Sequence, residues 1–406
     1  MNNNVKCRLC LGFDLEQVID LGYIPISHNL RHSLEQEEKK YPISFHYCKN
    51  CGLLQICNSI NPDELYNLET STTGHQIPSH IDEMIKNVLS YKEIGAVLDV
   101  GCNDGSFLNS IASFGFTKII GIEPNANAAK IAEKKTSHKI YTDYFSPDMA
   151  EKLKNTEGVF DFIFARHVLE HVTDIHSFLN AINIALSQEG LVIIELPRVE
   201  IGFDAKTPVI LWEEHVSYFT ESIMSPMFNH FGLEIIDKKY YEYGGGSVAY
   251  IARRTQPKEL SLKAATDFPI TYFREYDIAI SGLKEQIQEF IAQALQKNYK
   301  ILLYGAGPRS CVLLNYAGVI DKVDVVIDDR KDIKGYYMPG TDKKISILDE
   351  VSFDNQKVIA LLGVGAEYEQ KILNKLQDKL GYTPISVSMF PPLDIRESIT
   401  SVPTFN

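Results

Sequence analysis

No stretch of this 406-residue chain approaches the roughly 18 consecutive apolar residues of a membrane span. The first ten residues, MNNNVKCRLC, hold no apolar segment of the kind that directs secretion. The expectation is a cytoplasmic protein with no membrane partner. Clusters of basic residues are also missing. The 40 Lys and Arg against 53 Asp and Glu leave a net charge of −13, and phosphate neutralisation needs clustered cations, so no nucleic-acid partner is expected. Short repeats and low-complexity tracts are absent, and tryptophan occurs once, at Trp212. Cysteine is scarce: there are seven, and four of them stand in two close pairs. In a cytosolic chain such pairs point to a metal before a disulfide.

What is present suffices for ordinary cores. Hydrophobic residues make up 45% of the chain, and its length allows two or three domains. Three segments emerge. Residues 1–75 carry the paired cysteines. Residues 76–255 alternate apolar runs with helical patterns, and the runs are Ala96–Val100, Lys118–Ile122, Phe160–Phe164 and Leu191–Leu196. That alternation predicts an α/β fold with a mainly parallel sheet. Glu259–Lys300 reads as a connecting helical region. A second α/β pattern then begins, with strands expected at Ile301–Tyr304, Val323–Ile327, Lys357–Leu362 and Thr383–Val387. Residues 256–406 form the third domain, and it and the second are each expected to be Rossmann-like.

Cys7-Arg-Leu-Cys10 and Cys48-Lys-Asn-Cys51 are two CxxC knuckles. A two-residue gap turns both thiolates of a knuckle toward one ion, and two knuckles complete the tetrahedral sulfur shell that suits zinc. Cys57 is a substitute ligand. Four sulfurs leave no position for water, so such a Zn2+ is structural.

Val97–Leu108 runs from an apolar strand through Asp99, Gly101, Asn103 and Gly105 into a helix. Gly101 permits a sharp turn, and Gly105 lets a ligand approach the backbone. Glu123 follows about twenty residues on, at the end of the next strand, where a carboxylate can accept both hydroxyls of a ribose. Tyr144 and Phe145, in Tyr141–Phe145, are assigned to the adenine. The loop reads GxNxG, not GxGxxG. With Asp99 and Glu123 it resembles motifs I and II of class I methyltransferases that use S-adenosylmethionine (SAM).

The segment from Ala165 to His176 follows the next strand, and the carboxyl edge of an open α/β sheet is where such folds place chemistry. Arg166 is assigned to the cofactor, and His167, Glu170 and His171 reach the same edge. Leu211–Thr220 gathers Glu213, Glu214, His215 and Tyr218 around Trp212. A histidine beside a carboxylate makes a general base. A polar loop before a helix capped near Thr220 accounts for the same residues without chemistry. Tyr241–Ser247, with three consecutive glycines, is either a phosphate-binding backbone or a hairpin turn.

Together these residues resemble the SAM-dependent C-methyltransferases of nucleotide-linked deoxysugars. The resemblance rests on Cys7, Cys10, Cys48 and Cys51; on Leu98–Gly105 with Glu123; on His171-Val-Thr-Asp-Ile-His176; on Glu214-His215-Val-Ser-Tyr-Phe219; on Gly245-Gly-Ser247; and on Tyr304–Pro308, Leu313–Tyr316, Val326–Arg330 and Lys334–Thr341. It implies a zinc domain, a class I SAM core and a C-terminal Rossmann-like domain that helps hold a nucleotide sugar. It also implies carbon methylation through an enolate, with His215 as base and Glu214 and His171 polarising or relaying. The chain departs from the family pattern at Trp212, where a tyrosine is usual. Ala360-Leu-Leu-Gly363 stands in place of a late aromatic motif, and Tyr66–Ser71 matches the family's tyrosine and serine segment poorly. Methylation of oxygen or nitrogen on a sugar or related metabolite is the alternative. A zinc-ribbon nucleic-acid-binding protein ranks below both.

Overall fold

Two knuckles and three short strands come first: β1 (Leu15–Pro25), β2 (Lys40–Cys48) and β3 (Leu54–Ile56). The computed structural model describes residues 5–66, 77–260, 267–353, 356–391 and 395–402, so residues 67–71 of the tyrosine and serine segment lie outside the described residues. Contacts cluster into two units. One comprises residues 1–17, 45–199 and 214–270; the other comprises residues 18–44, 200–213 and 271–406.

In the first unit, α1 (Pro62–Tyr66) and α2 (Ile81–Leu89) precede the sheet. Strands and helices then alternate: β4 (Val97–Val100), α3 (Ser106–Ser113), β5 (Ile119–Ile122), α4 (Ala126–Lys135), β6 (Lys139–Tyr141), α5 (Pro147–Thr156), β7 (Phe160–Arg166), α6 (Ile175–Ala185) and β8 (Leu186–Pro197). The helices start where the sequence caps them. The side chains of Asn125, Ser146 and Asp174 each accept main-chain N–H groups of the first turn. Helix α7 (Val199–Asp204) belongs to the second unit but for its first residue, and the short β9 (Ser217–Tyr218), α8 (Glu221–His230) and the hairpin β10 (Leu233–Tyr241) and β11 (Ser247–Arg254) complete the first. The main sheet has the order β10-β11-β8-β7-β4-β5-β6. It is parallel from β8 to β6, and β11 runs antiparallel to both neighbours. The expected parallel sheet is therefore present, and the glycine run forms the β10–β11 turn.

The parallel strands are apolar on both faces because helices cover both. Val97, Ile119, Phe162 and Ile193 pack with α2 and α3 on one side, and Leu98, Ile120, Ile163 and Ile194 with α5, α6 and α8 on the other. The cysteine knuckles join that second core beside Phe219 and Met224. Main-chain pairing of β3 with both β2 and β9 fixes the knuckles further: Leu54 faces Tyr218 and Gln55 faces Ser217.

In the second unit, α9 (Ile270–Gln296) buries Phe273, Tyr276, Ile280, Leu283, Ile287 and Phe290 at helical spacing. The hydroxyls of Tyr272 and Tyr276 donate to the carbonyls of Phe203 and Thr207. Beyond α9 come β12 (Lys300–Tyr304), α10 (Pro308–Ala317), β13 (Val325–Ile327), β14 (Ile345–Ser346), β15 (Val358–Leu362), α11 (Ala366–Leu380), β16 (Ile385–Ser388) and α12 (Ile395–Ser401). All five strands are parallel, in the order β14-β13-β12-β15-β16. This is the second α/β layer expected from the sequence. No helix among the described residues is long and apolar enough to cross a membrane.

Candidate active site

The four cysteine sulfurs converge. They lie within 4.8 Å of one another, with Cys7 Sγ 3.5 Å from Cys51 Sγ and Cys10 Sγ 3.5 Å from Cys48 Sγ. A tetrahedral ion with bonds of about 2.3 Å spaces its sulfurs by roughly 3.8 Å, so the cluster fits zinc. The neighbouring sulfurs of Cys10 and Cys48 push the Cys7 and Cys51 thiols far up, a strain that a bound cation relieves. Cys57 stands outside the cluster, where burial pushes its thiol up to about 11. The knuckle also reaches the chemistry-bearing loop. Arg8 donates to the side chain of Gln55 and, over 3.0 Å, to the carbonyl of Val216. His176 Nε2 donates to the carbonyl of Leu9 over 2.8 Å.

At the carboxyl edge of β4, the main-chain amides of Gly101 and Cys102 donate to the carbonyl of Ile122. Gly101, Asn103 and Gly105 all have positive φ, at 74°, 48° and 76°. A Cβ on Gly101 would stand 2.6 Å from Val168 Cγ2, and one on Gly105 2.6 Å from Thr136 Cγ2. Gly105 caps α3 without a side-chain bond of its own, and Asp104 accepts the Ser106 N–H at 3.0 Å. Glu123 accepts N–H groups from Asn103 and Asn125, at 2.9 and 2.8 Å. Burial pushes its carboxyl up, against those two bonds. Asn103 Oδ1 is buried with no hydrogen-bond partner among the described residues, so the cradle presents a polar atom for a ligand to satisfy. Asp99 is 2% exposed, and burial pushes it up to about 7 against the pull of the Arg166 guanidinium. These residues fit SAM. Tyr144, whose hydroxyl donates to Asp63 over 3.1 Å, lies within electrostatic reach of Glu123. Phe145 instead packs edge-on against Phe178 of α6, with ring centroids 5.8 Å apart.

Downstream of β7 the backbone turns at His167, which has φ 52°, and a single helical turn, Leu169–His171, brings Glu170 and His171 inward. The rings of His171 and His215 meet edge to face at 4.9 Å. His171 Nδ1 lies 3.1 Å from the carbonyl oxygen of Glu214 and 3.9 Å from its carboxylate. Burial, with the charges of His171 and His167, holds His215 well below the ordinary imidazole range. Thus His171, Glu214 and His215 come together, as the sequence suggested. Tyr66 joins them, its ring 6.4 Å from that of His171.

Sequence reasoning missed the group behind them. Glu195 is fully buried on β8. Its carboxylate takes Arg166 Nε at 2.8 Å, His80 Nε2 at 2.8 Å and Ser247 Oγ at 2.7 Å. Despite its burial, His167, His80 and Arg166 hold it far below the usual carboxylate range. The signal was a lone glutamate inside the apolar run Leu191–Leu196. Arg166 is thus committed to Glu195, with its guanidinium over the ring of Phe107 at 4.6 Å.

In the second unit, β12 leads through Gly305 into α10, and Asp328, just beyond β13, accepts the Ala306 N–H at 2.9 Å. Glu213 accepts the main-chain N–H and the hydroxyl of Ser27, at 2.6 and 2.7 Å.

Three family models cover most of the chain. A methyltransferase domain matches residues 74–238, a "Putative zinc binding domain" residues 7–66, and a C-methyltransferase C-terminal domain residues 243–383. The chain is similar to C-methyltransferase NovU of Streptomyces niveus, at 23% identity over 357 residues, which covers 83% of this chain and 84% of that protein. It is 34% identical over 101 residues to a ubiquinone biosynthesis O-methyltransferase of Bartonella tribocorum, 24% of this chain and 39% of that one. Among solved structures, a SAM dependent methyltransferase from Archaeoglobus fulgidus aligns with a TM-score of 0.36 and 16% identity, over 43% of this chain and 93% of that one.

Proposed function

Because this chain belongs to the SAM-dependent C-methyltransferases that combine a zinc-binding domain, a methyltransferase core and a dedicated C-terminal domain, we propose that it methylates a carbon of a nucleotide-activated keto-sugar in the cytoplasm. The observation that carries the reading is the meeting of His171, Glu214 and His215 at the sheet edge that also holds Asp99 and Glu123. Residues 1–75 hold the zinc through Cys7, Cys10, Cys48 and Cys51. Residues 76–255 carry SAM and the chemistry. Residues 256–406 help to hold the nucleotide sugar.

Bound SAM supplies an electrophilic methyl group. Glu123 would accept its ribose hydroxyls, the turn from Gly101 to Gly105 would admit its polar atoms, and Asp99 and Asn103 would line the same edge. Tyr144 would flank the adenine, Phe145 supports that wall through its packing on Phe178, and Arg166 supports the site through Glu195. A ketone on the sugar acidifies the adjacent carbon. His215, neutral at physiological pH, takes the proton from that carbon, and the electron pair of the broken C–H bond moves into the enolate. Glu214 and His171 orient and polarise, which is how positioned donors stabilise a developing oxyanion. The fixed sheet edge supplies alignment. Deuterium exchange tests the step: with a keto-sugar, heavy water and no SAM, label enters the carbon beside the ketone. A true substrate that takes up no label rules the enolate out.

A second reading, methylation of oxygen, draws on the similarity to O-methyltransferases over about 100 residues. There His215 deprotonates a hydroxyl.

A further inference from the structure

Glu170 is 3% exposed, and neither of its carboxylate oxygens accepts a hydrogen bond among the described residues. Its nearest cationic neighbour, His167 Nδ1, stands 3.4 Å away, beyond the length of a well-formed hydrogen bond. His167, which Glu170 and Glu195 together hold protonated, supplies a positive charge shared between two carboxylates, and burying a carboxylate that accepts no well-formed hydrogen bond remains costly. Two further imidazoles stand near it without a hydrogen bond to it: ligand atoms of Glu170, His171 and His215 all lie within 4.8 Å of one another. Of these, His171 already turns Nδ1 to the Glu214 carbonyl.

We propose that Glu170 is the positioning residue of the base: its buried carboxylate orients the His215 ring and balances the positive charge that ring gains when it takes the substrate proton. This rests on the reading of His215 as base. The proton leaves the carbon for an imidazole nitrogen of His215, and Glu170 gains and loses no bond; it supplies the counter-charge, as the carboxylate does in a carboxylate–histidine pair. His167 holds Glu170 in place from behind, itself 3.7 Å from Glu195. Among the described residues, Glu214, His171, Tyr66 and Tyr218 also face the pair.

The full zinc-loaded chain, labelled with 15N-histidine, tests this. The His215 resonances are identified by their loss in His215→Ala. They are followed from neutral pH to the onset of acid unfolding. In the wild type His215 holds one tautomer; in Glu170→Gln the tautomers mix, or proton affinity falls by about tenfold. Glu170→Asp, which keeps the charge, stays closer to wild type and covers the case in which Glu170→Gln does not fold. SAM affinity stays unchanged in both. Unaltered His215 signals in Glu170→Gln overturn the proposal. So does a Mn2+ ion bound beyond the cysteine site and lost in Glu170→Gln, since Glu170 is then a metal ligand. His215→Ala that still exchanges the alpha proton of a nucleoside diphosphate keto-sugar refutes the base reading, and the NMR result then judges the Glu170–His215 pairing alone.

Discussion

His171 and Glu214 are joined through the backbone: Nδ1 of the ring lies 3.1 Å from the Glu214 carbonyl oxygen. A carbonyl only accepts, so the ring must carry its proton on Nδ1, leaving Nε2 as the acceptor when the ring is neutral. The bond also fixes the loop that presents His215. His171→Ala is therefore expected to lower kcat by about 100-fold or more. His171→Asn, whose amide can donate to the same carbonyl, is expected to recover part of that loss. Single-turnover rates at saturating SAM measure both.

His215→Ala and Glu214→Gln are expected to abolish turnover while SAM affinity by calorimetry stays near wild type. Collapse of SAM binding would instead make them cofactor or structural groups. The pH profile carries a sign. Burial and the nearby charges of His171 and His167 depress the His215 pKa, so the base is neutral throughout neutral pH. The rate should hold there, and it should decline only on the acid side of the usual imidazole value of about 6.5.

His167 behaves oppositely. Burial disfavours its charge, but Glu170 and Glu195 outweigh burial and raise it to about 9. A group whose folded pKa is raised contributes stability that is complete below its unfolded value, about 6.5, and is lost as pH climbs through 9. The contribution is on the order of 3 kcal/mol at most. Denaturant titrations of wild type should therefore show falling stability across that window, and His167→Gln should flatten the fall.

Cys7→Ser, or removal of zinc by a chelator, is expected to damage folding more than chemistry. The knuckle packs in the same core as Phe219 and Met224, so thermal unfolding should shift down and one zinc per chain should be lost. Unchanged stability after zinc removal refutes a structural ion.

Much of the fold was legible because parallel strands buried on both faces leave continuous apolar runs. Phe160–Phe164 and Ile301–Tyr304 fall inside the strands observed. The return of residues 18–44 and 200–213 to the unit of the C-terminal half leaves no such trace, since long-range contacts have no period in sequence. The site was legible where chemistry demands unusual residues close together, as at Glu214 and His215 or the cysteine knuckles. It was not legible where one charged residue acts inside an apolar strand. Glu195 gathers His80, Arg166 and Ser247 from positions up to 115 residues away. Glu170 was legible as a group at the reactive sheet edge, but its burial was not, because burial depends on what packs over it from elsewhere in the chain.

Incubating the chain with methyl-13C SAM and a panel of nucleotide sugars, then reading the product by mass spectrometry and NMR, tests the central claim most directly. The account predicts a nucleotide keto-sugar heavier by one labelled methyl group, with that group bonded to the carbon beside the ketone and absent in His215→Ala. A labelled methyl bonded to oxygen or nitrogen would contradict it.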